Sequence, residues 1–142
     1  MKKFAFTLER ALDWRSAQAR VEEANLERLQ SELQAIVARQ DGILRGTVEC
    51  TSLVFQSDVV PGVELAALDV FRNAARAENQ RLDRARSQCQ RRIAAQVNQV
   101  AERRRAARLL ERLKERQWQA WKLEVDRDAE REANDQFLAR WK

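Results

Sequence analysis

The pattern of apolar positions predicts two long helices. From residue 7 to residue 56, steps of four and three pick out Leu8, Leu12, Arg15, Ala19, Glu22, Leu26, Leu29, Leu33, Ile36, Gln40, Ile43, Thr47, Cys50 and Val54. A seam of this period belongs to a helix that pairs along its length with another helix. Arg15, Glu22 and Gln40 interrupt it, and interior polar positions of this kind fix register at some cost in stability. Thr7 is the expected N-cap, and Glu9 favours the positive end of the helix dipole.

Gly42 and Gly46 weaken the far end, since each glycine costs about 1 kcal/mol relative to alanine inside a helix. The stretch from Thr47 to Val60 is then rich in β-branched and small polar residues, which places the end of the first helix between Gly46 and Gln56. Pro61-Gly62 closes the turn, at about residues 57–62. Proline suits the first turn of a new helix because its missing N–H would have had no partner there.

Residues 63–140 contain neither Gly nor Pro, so one uninterrupted second helix is expected. Its seam runs Leu68, Phe71, Ala75, Glu78, Leu82, Ala85, Cys89, Ile93, Val97, Val100, Arg104, Ala107 and Leu110. It continues less cleanly through Trp118, Trp121, Val125, Ala129, Ala133 and Phe137. The successive steps of four from Cys89 to Ile93 to Val97 are a stutter that relaxes the supercoil.

The expected fold is therefore all-α, a single coiled-coil domain over residues 1–142. It is a long two-helix antiparallel coiled-coil hairpin with a C-terminal helical overhang. A turn at 57–62 pairs residues whose numbers add to about 120. Cys50 then faces the region of residue 70 and Cys89 that of residue 31, too far apart for a disulfide, so both thiols are expected free. The second helix outlasts the first by roughly 30 residues. That places the overhang at about 112–142, with Trp118, Trp121, Phe137, Leu138 and Trp141 on it. Exposed aromatic rows of this kind mark binding surfaces, the alternative being that the tail kinks back or that two chains pair through it.

Composition strengthens this picture. Ala, Arg, Leu, Glu and Lys make up 78 of the 142 residues, the usage of long helices. There is no His, which excludes His-based acid–base chemistry, Ser–His and Cys–His nucleophiles and His metal sites. No phosphate loop or CxxC is present, and a two-helix hairpin has no concave core. We expect no enzyme activity, no cofactor and no metal.

The net charge of +5 is unevenly spread. Residues 72–108 hold 11 Arg against Glu78, Asp83 and Glu102, and their densest cluster is Arg103-Arg104-Arg105 with Arg91, Arg92 and Arg108. An acidic partner fits such a segment. It contains no aromatic residue on which bases could stack, so specific nucleic-acid binding is not expected and any contact would be to phosphates. No apolar run is long enough for a membrane span. Met1-Lys2-Lys3-Phe4-Ala5-Phe6 has the start of an export signal, but Glu9, Arg10 and Asp13 interrupt it, and none is read.

Two stretches carry a family resemblance. Phe4-Ala5-Phe6-Thr7-Leu8-Glu9-Arg10-Ala11-Leu12 resembles the F-x-F-x-L-x-x-L-L opening of the flagellar export protein FliJ family. Leu109-Leu110-Glu111-Arg112-Leu113-Lys114-Glu115-Arg116, followed by Trp118 and Trp121, is similar to that family's L-E-K-L-K-E-R-R block. The resemblance implies a cytoplasmic, non-enzymatic part of the flagellar type III export apparatus, peripherally associated with the membrane. Such proteins are stalks similar to the γ subunit of rotary ATPases. The open end docks in the hexameric export ATPase ring and promotes its assembly, and the stalk also contacts the cytoplasmic domain of the export gate. Export chaperones are further partners that the resemblance implies.

Carried over to this chain, Leu8, Leu12, Arg15, Leu110, Arg112, Trp118 and Trp121 are the expected ring contacts. Phe71, Ala75, Glu78 and Leu82 are the expected gate contacts. A virulence-type secretion stalk would share the design. A self-associating coiled-coil adaptor is the alternative from another class, with a basic nucleic-acid binder behind it.

Overall fold

The computed structural model describes residues 3–141. Two long helices pack against each other: α1 spans Glu9–Val54 and α2 spans Gly62–Arg140. At about 1.5 Å per residue they run for roughly 70 and 120 Å.

Helix α1 starts slightly later than the sequence suggests. The carbonyl of Leu8 accepts the first intrahelical bond, from Leu12 N–H at 2.9 Å, so Leu8 and not Thr7 stands at the cap position. The two glycines do not end the helix. Both lie inside α1 without positive φ, and the space around each Cα is open. Beyond them the hydroxyls of Thr47 and Thr51 donate to the carbonyls of Ile43 and Thr47, four residues back. These local bonds occupy side chains that would otherwise compete with the helix. The carbonyl of Pro61 takes the first bonds of α2, from the N–H groups of Glu64 and Leu65.

The chain divides into two compact units. One is the hairpin unit, Glu23–Asn98. The other is the terminal unit, which joins the first 22 residues to those from Gln99 onward. In the hairpin unit the helices run antiparallel. Gln40 Nε2 donates to Asp83 Oδ1 at 2.6 Å and Arg86 reaches Gln40 Oε1. Arg72 donates to Thr51 Oγ1 at 3.1 Å, and the Cys89 thiol lies 3.3 Å from the Leu29 carbonyl oxygen. The numbers of these partners add to between 118 and 126. Gln40, an interruption in the apolar seam, thus forms a polar layer that only one register satisfies. Both cysteines are free.

Burial follows the seam closely. Leu12, Ala19, Leu29, Leu68, Leu82, Cys89, Val100 and Ala107 are buried. Of the fourteen seam positions read on α1, Leu8 alone is classed as exposed. On α2 the seam departs from the reading after Ile93. Gln96 and Arg103 are the part-covered residues, whereas Val97 and Arg104 are exposed. Apolar character favours Val97, but regular steps of three and four from Ile93 select Gln96, Val100, Arg103 and Ala107, so the expected second step of four, from Ile93 to Val97, is absent. The aliphatic stems of Gln96 and Arg103 can line a seam while their polar ends leave it.

Candidate functional site

The terminal unit holds both stretches of the family resemblance. Residues 3–8 are not helical, yet they form part of the packing. Phe6 is buried, and the rings of Phe4 and Trp121 lie 5.9 Å apart, tilted by 51°. Aromatic pairs favour such tilted geometry. Lys114 Nζ binds Glu9 Oε1 at 2.8 Å. Both side chains of that pair are more than a third exposed, so it contributes register more than stability. Further along, Arg103 donates to Gln18 Oε1 at 3.3 Å. A groove of about 430 Å³ opens between Phe4, Leu12, Glu111, Lys114, Glu115 and Trp118.

These contacts shorten the unpartnered end of α2. Phe4 meets α2 as far along as Trp121, Val125 is part-covered, and every residue from Asp126 to Trp141 is exposed. The overhang therefore begins at 126 rather than near 112. Periodicity missed this because Phe4 and Phe6 precede the helix and belong to no heptad. Trp121 is partly covered and Trp118 lies at the groove's edge, with Lys122 Nζ 5.3 Å from its ring centroid. The solvent-facing aromatic group is instead Phe137 with Trp141, whose rings lie 5.8 Å apart.

The expected ring contacts separate by burial. Leu12 is buried in the interhelical core and presents little surface to a partner. Arg15 and Leu110 are half-buried, and the Arg15 guanidinium sits 4.9 Å from the Trp14 ring centroid. Leu8, Arg112 and Trp118 are exposed. The expected gate contacts lie on the face of α2 that meets α1. Leu82 is buried and Ala75 half-buried, so only Phe71, at 41% exposure, offers much surface. Leu12 and Leu82 were both drawn from the seam, and the pairing of α1 with α2 covers the seam.

Glu78 is engaged within the hairpin unit. Arg81 donates to both its carboxylate oxygens, at 2.9 and 2.6 Å, and Arg39 lies 3.3 Å from one of them. The Arg81 hydrogen bonds, helped by the charges of Arg81 and Arg39, hold the Glu78 carboxyl below its ordinary range against a desolvation effect in the other direction. The same hydrogen bonds raise Arg81.

Several exposed apolar residues were not singled out from sequence. Trp14, Val21, Leu109 and Leu123 are more than half exposed in the terminal unit, as are Leu44, Val48, Leu53 and Phe55 near the turn of the hairpin unit. The signal in sequence was a whole number of heptads between Trp14 and Val21, between Val48 and Phe55 and between Leu109 and Leu123. Near the turn, a groove of about 480 Å³ is lined by Leu44, Thr47, Arg72, Ala75 and Arg76, among others.

Among the described residues no helix is long and apolar enough to cross a membrane. Comparison of the chain with protein families, with characterised proteins and with solved structures gives no match.

Proposed function

We propose that this chain is a non-enzymatic stalk of a type III protein export apparatus of the flagellar kind. It docks its terminal unit in the ring of a hexameric export ATPase and promotes the ring's assembly. One observation supports this most. The two stretches that carry the resemblance, Phe4–Leu12 and Leu109–Trp121, lie against each other through the Phe4–Trp121 and Glu9–Lys114 contacts. Two motifs far apart in sequence thereby belong to one surface.

Within this reading Leu8, Arg112 and Trp118 are the ring contacts that docking can reach directly, with Arg15 and Trp121 at its margin. The hairpin unit serves the export gate through Phe71 and the apolar residues near the turn. The protein works in the cytoplasm at the membrane apparatus, where export chaperones are further partners.

Affinity capture tests the proposal. The purified chain is immobilised and exposed to nuclease-treated lysate of its own source at moderate salt. Recovery of an export ATPase and a gate protein is expected, with the ATPase lost when Arg112→Glu and Trp118→Ala are combined. Recovery of ribosomes and nucleic-acid proteins alone would refute it.

A further inference from the structure

Helix α2 carries a second apolar seam that α1 does not cover. It runs Ala106, Leu109, Leu113, Arg116, Ala120 and Leu123, again in steps of three and four. With about 3.6 residues per turn, this row lies roughly 100° round the helix from the row of Ala107, Leu110, Lys114 and Trp121, each of whose members it precedes by one residue. Leu109 is 67% exposed and Leu123 58%, and only Ala106, at the seam's start, is half-buried. A row of leucines at heptad spacing, outside the main seam, is what a helix shows when it has two helical neighbours.

We propose that the second neighbour is another copy of this chain, docked antiparallel about a two-fold axis between residues 114 and 115. The seam reads with the same spacing in both directions. Run antiparallel, it sets partners whose numbers add to 229 opposite each other. Ala106 meets the second copy's Leu123, Leu109 meets Ala120, and Leu113 meets Arg116. Two of these three layers thus place a leucine against an alanine. In the third, the Arg116 stem covers Leu113 and its guanidinium reaches solvent.

Charge selects both the occupant and its direction. One step beyond the apolar seam, Glu102 faces the second copy's Arg127. On the flank, Arg105 comes within two residues of the level of the second copy's Asp126. All four side chains are exposed, and two-fold symmetry makes each pair twice. A parallel pair would instead set Glu102 against Glu102, Arg127 against Arg127 and Arg116 against Arg116. From Glu102 to Arg127 the contact spans about 38 Å of helix. That is short for an obligate dimer, so micromolar association is expected. The inference is independent of the stalk reading, because it uses no property of an ATPase.

Light scattering coupled to size exclusion tests it. The wild-type chain should run near twice 16.6 kDa at high micromolar concentration and dissociate on dilution. Leu109→Asp with Leu113→Asp should give a monomer with unchanged helix content, since Leu109 is 67% and Leu113 37% exposed and neither belongs to the buried core. Glu102→Arg alone should weaken the dimer several-fold, and adding Arg127→Glu in the same chain should restore it. For direction, Cys50→Ala/Cys89→Ala chains are oxidised after adding Leu109→Cys to one preparation and Ala120→Cys to the other. The mixture should cross-link, whereas the Leu109→Cys preparation alone should not. A wild-type monomer at all concentrations, a dimer indifferent to Leu109→Asp/Leu113→Asp, or a cross-link within the Leu109→Cys preparation would overturn the proposal.

Discussion

The hairpin unit and the terminal unit use one seam in different ways. In the hairpin unit, polar side chains fix which residues meet: Gln40 with Asp83 and Arg86, Thr51 with Arg72, and Arg39 with Glu78. Leucines and Cys89 supply the burial around them. In the terminal unit the decisive contacts come from residues outside any heptad. Phe4 and Phe6 approach α2 from a non-helical segment. A heptad thus determines which residues are hidden, while the residues that distinguish one coiled coil from another lie beside it.

The largest expected effect is on the shared seam. Leu29 is buried in the hairpin unit, so Leu29→Asp places a carboxylate in a dry contact. Loss of a cooperative thermal transition is expected by circular dichroism, and a wild-type melting curve would remove the assignment of Leu29 to the core.

Phe6→Ala should loosen the terminal unit alone. Truncating a buried aromatic costs about 3–5 kcal/mol in a full core, and less for a site this near the surface. Hydrogen exchange should show lost protection in the first turns of α1, with the amides of residues 26–50 unaffected. Uniform loss across α1 would mean that the units do not respond separately.

Gly42→Ala with Gly46→Ala should stabilise the hairpin unit. The gain is about 1 kcal/mol for each substitution, and an added methyl meets nothing within 4 Å at either position. A lower melting temperature would show that a close approach at these glycines matters.

The smallest effect is the pH dependence of the Glu78 cluster. Because the folded-state value of Glu78 is lowered, its contribution is present above the ordinary carboxylate value of about 4.3 and is lost as pH falls through the folded value. Glu78→Gln should remove that part of the acid sensitivity and leave stability at alkaline pH less dependent on Arg81. Identical acid titrations of the two proteins would argue against the cluster.

The hairpin was readable from sequence because thirteen heptad steps on α1 agree with one another, and Pro61-Gly62 leaves one place to turn. The pairing of Cys89 with the Leu29 region was readable for the same reason. The start of the overhang was not, because Phe4 and Phe6 carry no period. Nor was the choice of Gln96 over Val97, since geometry there overrides hydrophobicity. The docking residues were the least legible. Leu12 and Leu82 stood out through the regularity that buries them, while Leu109 and Leu123 were obscured by the stronger seam beside them.

The most direct test of the account is stimulation of the export ATPase from the same source by the purified chain. The account predicts that the wild-type chain raises hexamer formation and ATP turnover. Arg112→Glu with Trp118→Ala should abolish both while leaving helix content and the Phe4–Trp121 contact intact. An ATPase whose assembly and turnover are indifferent to the wild-type chain would contradict the stalk reading.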